Sequence, residues 1–264
     1  MRIAVCMKQV PGVSEGSMDP RTGVLIRTGL SAVTNLYDRS ALEAALRIKE
    51  QQGGGIHVFT MGPGKAEEVL REAYAMGADH GYLISDRAFG GADVLATSYT
   101  LMQAIRSAGE YDLIVCGRQT TDGDTAQTGS ALAAWLGWQQ LNWVTRLEVK
   151  EDQILAVCRM EEGTAEVTAP LPCVAMVERE SFIPRMPSLK LKMKGRKMPV
   201  TVISLQELED AVPEHYGLKG SATRVKKIFA PKGAERKELV YKSGVEGAAY
   251  ILELLKDTGQ ETGI

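Results

Sequence analysis

Between residues 2 and about 140, short β-branched runs alternate with longer stretches whose apolar residues return at spacings of three and four, and this alternation constrains the fold most. A strand covered on both faces is a continuous apolar run, whereas a covering helix shows one apolar stripe. The pattern therefore predicts an α/β fold with a mainly parallel sheet and helices on both faces. The expected buried strands are Arg2–Met7, Ile56–Met61, Gly81–Ser85 and Asp112–Gly117. The expected helices are Asp38–Gln52, Lys65–Met76, Asp93–Ser107 and Ala126–Leu136.

From about 142 to 178 the pattern changes. Trp143–Val149, Ile154–Met160, Ala165–Val167 and Val174–Val177 alternate like antiparallel strands, joined by Asp152-Gln153 and Glu161–Gly163, which predicts a meander at the sheet edge. After Phe182 the basic stretch IPRMPSLKLKMKGRKMPV has prolines at 184, 187 and 199 and no helical stripe, so it reads as an exposed loop. The tail to Ile264 holds one clear helical segment, Val245–Lys256, and too little apolar surface for a core of its own.

Composition removes several function classes. With 44% hydrophobic and 24% charged residues, the chain of 264 residues is neither disordered nor collagen-like. Its formal net charge of −2 provides no global attraction to nucleic acid or anionic lipid. The basic run Lys190–Lys197 carries no interleaved aromatic for base stacking, so neither nucleic acid nor membrane is an expected partner. Leu189 and Leu191 among lysines fit a protein-docking loop, with an apolar anchor and steering charge. Cys6, Cys116, Cys158 and Cys173 are scattered without metal-ligand spacing and read as reduced thiols. The start, MRIAVCMKQVPG, lacks a long apolar leader, and the expected location is cytoplasmic.

In an open parallel sheet, ligands bind beyond the carboxyl ends of the strands. The loops there are Lys8–Gly12 (KQVPG), Met61–Gly64 (MGPG), Asp86–Asp93 (DRAFGGAD) and Gly117–Gly129 (GRQTTDGDTAQTG). The last is the densest: backbone amides and the hydroxyls of Thr120, Thr121, Thr125 and Thr128 can surround a phosphate at the start of a helix. The alternative is a polar turn in which Asp122 or Asp124 caps that helix, and the three other loops at the same sheet edge favour the phosphate reading. His57, His80 and His215 have no spacing that suggests a metal site, and no nucleophile, hydrolase or zinc motif occurs. The expectation is no catalytic side-chain set and no metal, which leaves cofactor chemistry or binding.

The ordered set KQVP, DRSALEAALRIKE, MGPGKAEEVLREAYAMGAD, DRAFGGAD, GRQTTDGDTAQTG and PRMPSLKLKMK resembles the β subunit of electron transfer flavoproteins over essentially the whole chain. The resemblance implies a Rossmann-like, adenine-nucleotide-hydrolase-like domain at 1–181, a partner-recognition loop at 182–200, and a C-terminal arm at 201–264 packing on a larger, FAD-carrying α subunit. It also implies electron transfer between dehydrogenases, without catalysis on a substrate carbon. DRAFGGAD, continuing into Thr97 and Ser98, and Asp19–Arg27 (DPRTGVLIR) resemble the branch that bifurcates electrons, where a second FAD replaces a structural AMP and NADH is the donor.

Carried over by likeness, Cys6, Asn35, Leu36, Tyr37, Asp38, Met61, Gly117, Arg118, Gln119, Thr120, Thr121, Asp122, Gly123, Asp124, Thr125, Ala126, Gln127 and Thr128 line the FAD or AMP pocket. Many members have Asn-Pro where this chain has Asn35-Leu36; Asp38 remains and can cap the helix that follows. Arg87, Phe89, Gly90, Gly91, Ala92, Asp93 and Thr97 form the NAD side, with Phe89 placed to lie against a flavin or nicotinamide face. Arg118 and Gln119, at a strand's carboxyl end, are placed to donate to a flavin. The resemblance further implies that Leu189, Lys190 and Lys192 dock a partner flavin dehydrogenase acting on an acyl-CoA or a 2-hydroxy acid such as lactate, with ferredoxin as the expected low-potential acceptor. The competing readings are a non-bifurcating β subunit with AMP, and a nucleotide-binding protein of the universal-stress type.

Overall fold

A computed structural model describes residues 1–12, 32–226 and 242–257. The stretch Asp19–Arg27 likened to bifurcating members lies outside these residues. In chain order the elements are β1 (Arg2–Cys6), β2 (Gln9–Pro11), β3 (Ala32–Thr34), α1 (Leu36–Gln52), β4 (Gly55–Met61), α2 (Glu67–Met76), β5 (His80–Ile84), α3 (Val94–Ala108), β6 (Leu113–Gly117) and α4 (Thr128–Leu136). They continue as β7 (Gln139–Lys150), β8 (Gln153–Met160), β9 (Gly163–Pro170), β10 (Cys173–Val177), α5 (Leu189–Gly195), β11 (Val200–Ile203), α6 (Gly217–Gly220) and α7 (Gly244–Asp257). The strand and helix runs read from the alternation all appear, with ends shifted by a few residues.

Nine strands form one sheet in the order β11-β5-β4-β1-β6-β10-β7-β8-β9. Pairing is parallel from β11 through to β7, while β7-β8 and β8-β9 are antiparallel. The fold class is therefore the mainly parallel α/β sheet with antiparallel edge strands that the alternation implies. One core layer packs Leu42, Ala45, Ile48, Val69 and Leu70 of α1 and α2 against Ile3, Val5, Ile56 and Val58 of the sheet. The other packs Leu101, Ile105 and Leu132 of α3 and α4 against Ala4, Phe59, Ile84 and Ile114. Alternate residues of each central strand thus enter opposite layers, which is why these strands are apolar throughout.

Three segments differ from expectation. Val174–Val177, grouped with the antiparallel meander, belongs to β10, which inserts between β6 and β7 and is parallel to both. All five of its residues are buried, the signature of a central strand rather than an edge. Val200–Ile203, read as part of a polar tail, adds β11 beside β5, and the sheet-bearing unit extends to Lys226. The basic stretch is not all loop: α5 forms there, with the Leu191 amide donating to Ser188 Oγ at 3.0 Å as its cap. LKLKMK alternates with period two, so sequence periodicity argues against a helix, and contacts with α2 override it. Arg71 donates to the carbonyls of Gly195 and Met198 at 2.8 and 2.6 Å, and Tyr74 to that of Pro199 at 2.6 Å.

A second unit carries α7, which matches the expected Val245–Lys256 helix. At its start Ser243 Oγ donates to Glu246 Oε2 at 2.7 Å. Among the described residues, no helix is long and apolar enough to cross a membrane.

The sheet reverses its winding between β1 and β6, since β4 lies on one side of β1 and β6 on the other. There α1 comes so close to the end of β6 that a Cβ on Gly117 would overlap Asp38 Oδ1 and lie 2.6 Å from Tyr37 Cβ. Both neighbours are fixed in the first turn of α1. Gly117→Ala is expected to cost about 1–3 kcal/mol by overpacking, read as a lower midpoint in chemical denaturation with an unchanged slope.

Candidate functional site

The carboxyl ends of the central parallel strands and the loops beyond them enclose a cavity of about 910 Å³ at this switch point. Twelve of the residues expected at an adenine nucleotide line it: Cys6, Asp38, Met61, Gly117, Arg118, Gln119, Thr120, Gly123, Thr125, Ala126, Gln127 and Thr128. The whole expected NAD set, Arg87, Phe89, Gly90, Gly91, Ala92, Asp93 and Thr97, lines the same space from the opposite side. The two predicted subsites are thus walls of one continuous cavity.

Six expected residues stand outside its wall. Asn35, Leu36 and Tyr37 form the entry to α1, where Asn35 Nδ2 donates to the Gln119 carbonyl at 2.9 Å and so tethers the long loop from behind. Thr121, Asp122 and Asp124 lie on the loop's outer side. Neither aspartate caps α4, whose N-cap is Gln127 without a side-chain bond. Asp122 instead accepts from Lys8 Nζ at 2.7 and 2.8 Å. Asp124 and Ala126 have φ of 52° and 53°, a conformation unfavourable for alanine, so the loop is held in shape at some local cost. Leu189, Lys190 and Lys192 lie on α5, away from the cavity wall.

Asp38 differs from its expected role. It sits in the first turn of α1, only 5% exposed, and does not cap that helix. Its Oδ2 accepts from the Lys8 amide at 2.7 Å, and the Gly117 amide and the Asn35 side chain also favour its charged form. Burial outweighs these donors and pushes its pKa up to about 7. On the loop itself, burial pushes Asp122 upward, but the Lys8 ammonium and the Thr120 hydroxyl hold it below the usual carboxylate range.

Arg118 is fixed on three sides. It donates to Glu178 Oε1 at 2.8 Å and lies over Trp143, 4.3 Å from the ring centroid, and more distantly over Tyr37. Trp143 reaches it from an irregularity in β7, with φ of 56°. The Nε of Arg118 and Oδ1 of Asn35 are buried without partners in this region.

On the opposite wall, the carboxylates of Asp86 and Asp93 are spent on structure. Asp86 accepts from the amides of Ala88 and Leu205 at 2.9 and 3.1 Å. Asp93 caps α3 through the Ala96 amide at 3.1 Å and accepts the amide and hydroxyl of Thr223 at 2.8 and 2.9 Å. Phe89, expected to offer a ring face to a cofactor, is 4% exposed and packs on Tyr216, 5.5 Å between centroids. It is nonetheless part of the cavity lining.

Lys8, Gly62, Pro63 and Asp86 also line the cavity. They lie in the loops that sequence reasoning marked, and strand polarity was the signal that could have promoted them to site residues. Met7, Ile84, Leu101 and Cys116 line it too but read as core residues in sequence. The histidines lie elsewhere: Nδ1 of His57 is 2.8 Å from the Tyr111 hydroxyl, and burial lowers its pKa to about 4. His215 contacts Asp210 at 2.6 Å. The four cysteines are free and buried. Among the described residues, no three His, Cys, Asp or Glu side chains gather as a metal site.

The sequence profile of the electron transfer flavoprotein domain matches residues 22–208, well over half of the chain. The chain belongs to the electron transfer flavoprotein family. It is 39% identical over 257 residues to the electron transfer flavoprotein subunit beta of Clostridium acetobutylicum, covering 97% of this chain and 98% of that relative. It is 40% identical over 259 residues to the caffeyl-CoA reductase-Etf complex subunit CarD of Acetobacterium woodii, covering 97% and 98%. Protein FixA of Azorhizobium caulinodans is 37% identical over 266 residues, covering 97% and 94%. Within the family, the likeness is to β subunits.

For Asp38, the folded value of about 7 lies above the ordinary 3.8, so its contribution to stability is full below about pH 4 and lost as the pH rises through 7. Across that window the stability of the wild type relative to Asp38→Asn is expected to fall by on the order of 2–4 kcal/mol. Urea denaturation of both proteins from acid to neutral pH checks this; a constant difference would contradict a protonated Asp38.

Proposed function

We propose that the chain is the β subunit of a heterodimeric electron transfer flavoprotein of the bifurcating kind, with FAD in the cavity and NADH as donor. The single observation that carries this reading is the continuity of the cavity. At about 910 Å³, it lies at the upper end of the ~300–1,000 Å³ typical of small-molecule sites, more room than a mononucleotide needs. Its walls also fit the group: a glycine- and threonine-rich loop offers amides and hydroxyls to a pyrophosphate, and Arg118 and Gln119 stand at the end of β6.

Bound there, FAD would supply the hydride and single-electron chemistry. The chain's own residues bind, orient and shield. The loop 117–129 cradles phosphate, Arg118 is held rigid by Glu178 and Trp143 beside the space a flavin would take, and Asp86 and Asp93 stiffen the wall at residues 86–93 that would receive NADH. In this reading, electrons leave to ferredoxin and, through FAD on the α subunit, to a partner flavin dehydrogenase of the acyl-CoA or 2-hydroxy-acid type, in the cytoplasm.

Residues 182–200 are the docking segment. Leu189 is 75% exposed, and the segment is anchored on α1 by Arg185, which donates to Glu43 Oε2 at 2.8 Å and Glu50 Oε1 at 2.5 Å. The sheet-bearing unit, which runs on to Lys226, would hold the cofactor, and the unit that carries α7 would pack on the α subunit. The second reading, a non-bifurcating subunit with structural AMP, uses the 117–129 side of the cavity alone.

Nucleotide extraction from the native complex with its α subunit tests the proposal. Two FAD per heterodimer are expected; one FAD with one AMP would favour the second reading, and a cavity yielding no nucleotide would remove both. Arg118→Ala is further expected to shift the flavin potential and slow NADH oxidation, and unchanged values would free Arg118 of that role.

A further inference from the structure

Lys8 is a cation in the wall of the cavity whose present partner lies outside it. Its ammonium donates to both oxygens of Asp122, at 2.8 and 2.7 Å. The root of the side chain is fixed, since the Lys8 amide donates to Asp38 and its carbonyl accepts from the Asn35 amide at 2.9 Å. The head is not: the Lys8 and Asp122 side chains are 45% and 30% exposed, and the four-carbon stem can swing on that root.

The other two cationic side chains in the wall are differently placed. Arg118 is committed to Glu178 and two aromatic rings, and Arg87 belongs to the opposite loop. Thr120 and Gly123, which flank Asp122 in sequence, line the same cavity as Lys8, as do Thr125 and Thr128. Asp122 is not stranded if Lys8 turns away. The Gly123 amide already donates to it at 2.8 Å, and its exposed side can hydrate.

From this we infer that Lys8 is a phosphate ligand of the cavity and Asp122 its resident stand-in: on binding, the ammonium leaves the carboxylate for the phosphate of a nucleotide. The inference rests on the reading of the cavity as a nucleotide site. The exchange trades one singly charged carboxylate for a doubly charged group, the monoester phosphate of AMP or the pyrophosphate of FAD, with more acceptor oxygens, so it runs toward the ligand. Until the ligand arrives, the Lys8–Asp122 pair ties the loop 117–129 to the end of β1 and keeps the ammonium from being left unpaired. Asp122 therefore competes with the ligand while shaping the loop that receives it.

The test is calorimetric titration of the full chain, freed of nucleotide, with AMP as the phosphate probe and adenosine as the same probe without phosphate. Asp122→Asn is expected to bind AMP about two- to five-fold more tightly, the range of a partly exposed ion pair. Lys8→Gln is expected to bind AMP about ten-fold or more weakly, as for a lost charge-assisted hydrogen bond. Adenosine affinity should stay unchanged in both. If Asp122→Asn melts well below the wild type, Lys8→Gln decides alone. Unchanged AMP binding by Lys8→Gln, equal losses for AMP and adenosine, or a normally folded Asp122→Asn that does not bind AMP more tightly would overturn the exchange while leaving the nucleotide site standing. A wild type that takes up neither probe nor FAD would overturn the nucleotide reading itself, and the exchange with it.

Discussion

The carboxyl of Asp38 is buried where β1 and β6 part, and the groups it gathers hold the floor of the cavity together. It accepts the amide that leaves β1, and the amide at the end of β6 and the side chain that starts α1 lie near enough to favour its charged form. Two strands that diverge into loops on opposite sides of a switch point have no ladder left to pair them, and their free amides must find another acceptor. One carboxyl in the first turn of α1 supplies it. Gly117 lets that turn approach, because any side chain at this position would meet Asp38 and Tyr37. The burial that makes the junction compact also keeps a proton on the carboxyl near neutrality, so the joint is made partly of a neutral acid.

Around this floor, the two walls are stiffened by different means. The loop 117–129 is tied back to β1 and α1 by Lys8 with Asp122 and by Asn35 with the Gln119 carbonyl, while two non-glycine residues adopt left-handed backbone. The loop 86–93 is held by backbone bonds to its own aspartates and by the segment after β11: Leu205 and Thr223 donate to Asp86 and Asp93, and the Leu218 amide to the Gly90 carbonyl at 3.0 Å. Neither wall spends a catalytic acid or base on its shape. Such a cavity suits a protein that positions a cofactor carrying its own chemistry, in keeping with the electron transfer flavoprotein family.

Much of the site was legible in sequence because strand polarity is local information. A buried run followed by a helix places its loop at the carboxyl edge, and four such loops in one parallel sheet meet. Strand polarity alone places both the 86–93 and 117–129 loops at the cavity. It did not assign side-chain partners. Asp93 looks like a ligand residue and spends its oxygens on Ala96 and Thr223. Phe89 looks like a stacking platform and packs on Tyr216. Asp38 looks like a helix cap and bridges two strands instead. In each case at least one partner is distant in sequence, up to 130 residues away for Asp93 and Thr223.

Hydrophobic period and turn chemistry, both properties of neighbouring residues, determined the α/β class, the central strands and their covering helices, and the loops that face a ligand. Long-range pairing decided the rest. β10 enters between β6 and β7 because a fully apolar strand gains most from burial on both faces, whatever its place in the chain. β11 joins β5 after a basic stretch that reads as an exposed loop, and α5 forms in an alternating Lys/Leu run because Arg71 and Tyr74 of α2 hold its carbonyl end. Burial then set the protonation of Asp38, and the approach of β1 to the 117–129 loop set the partner of Lys8, since desolvation and ion pairing depend on what tertiary folding brings near.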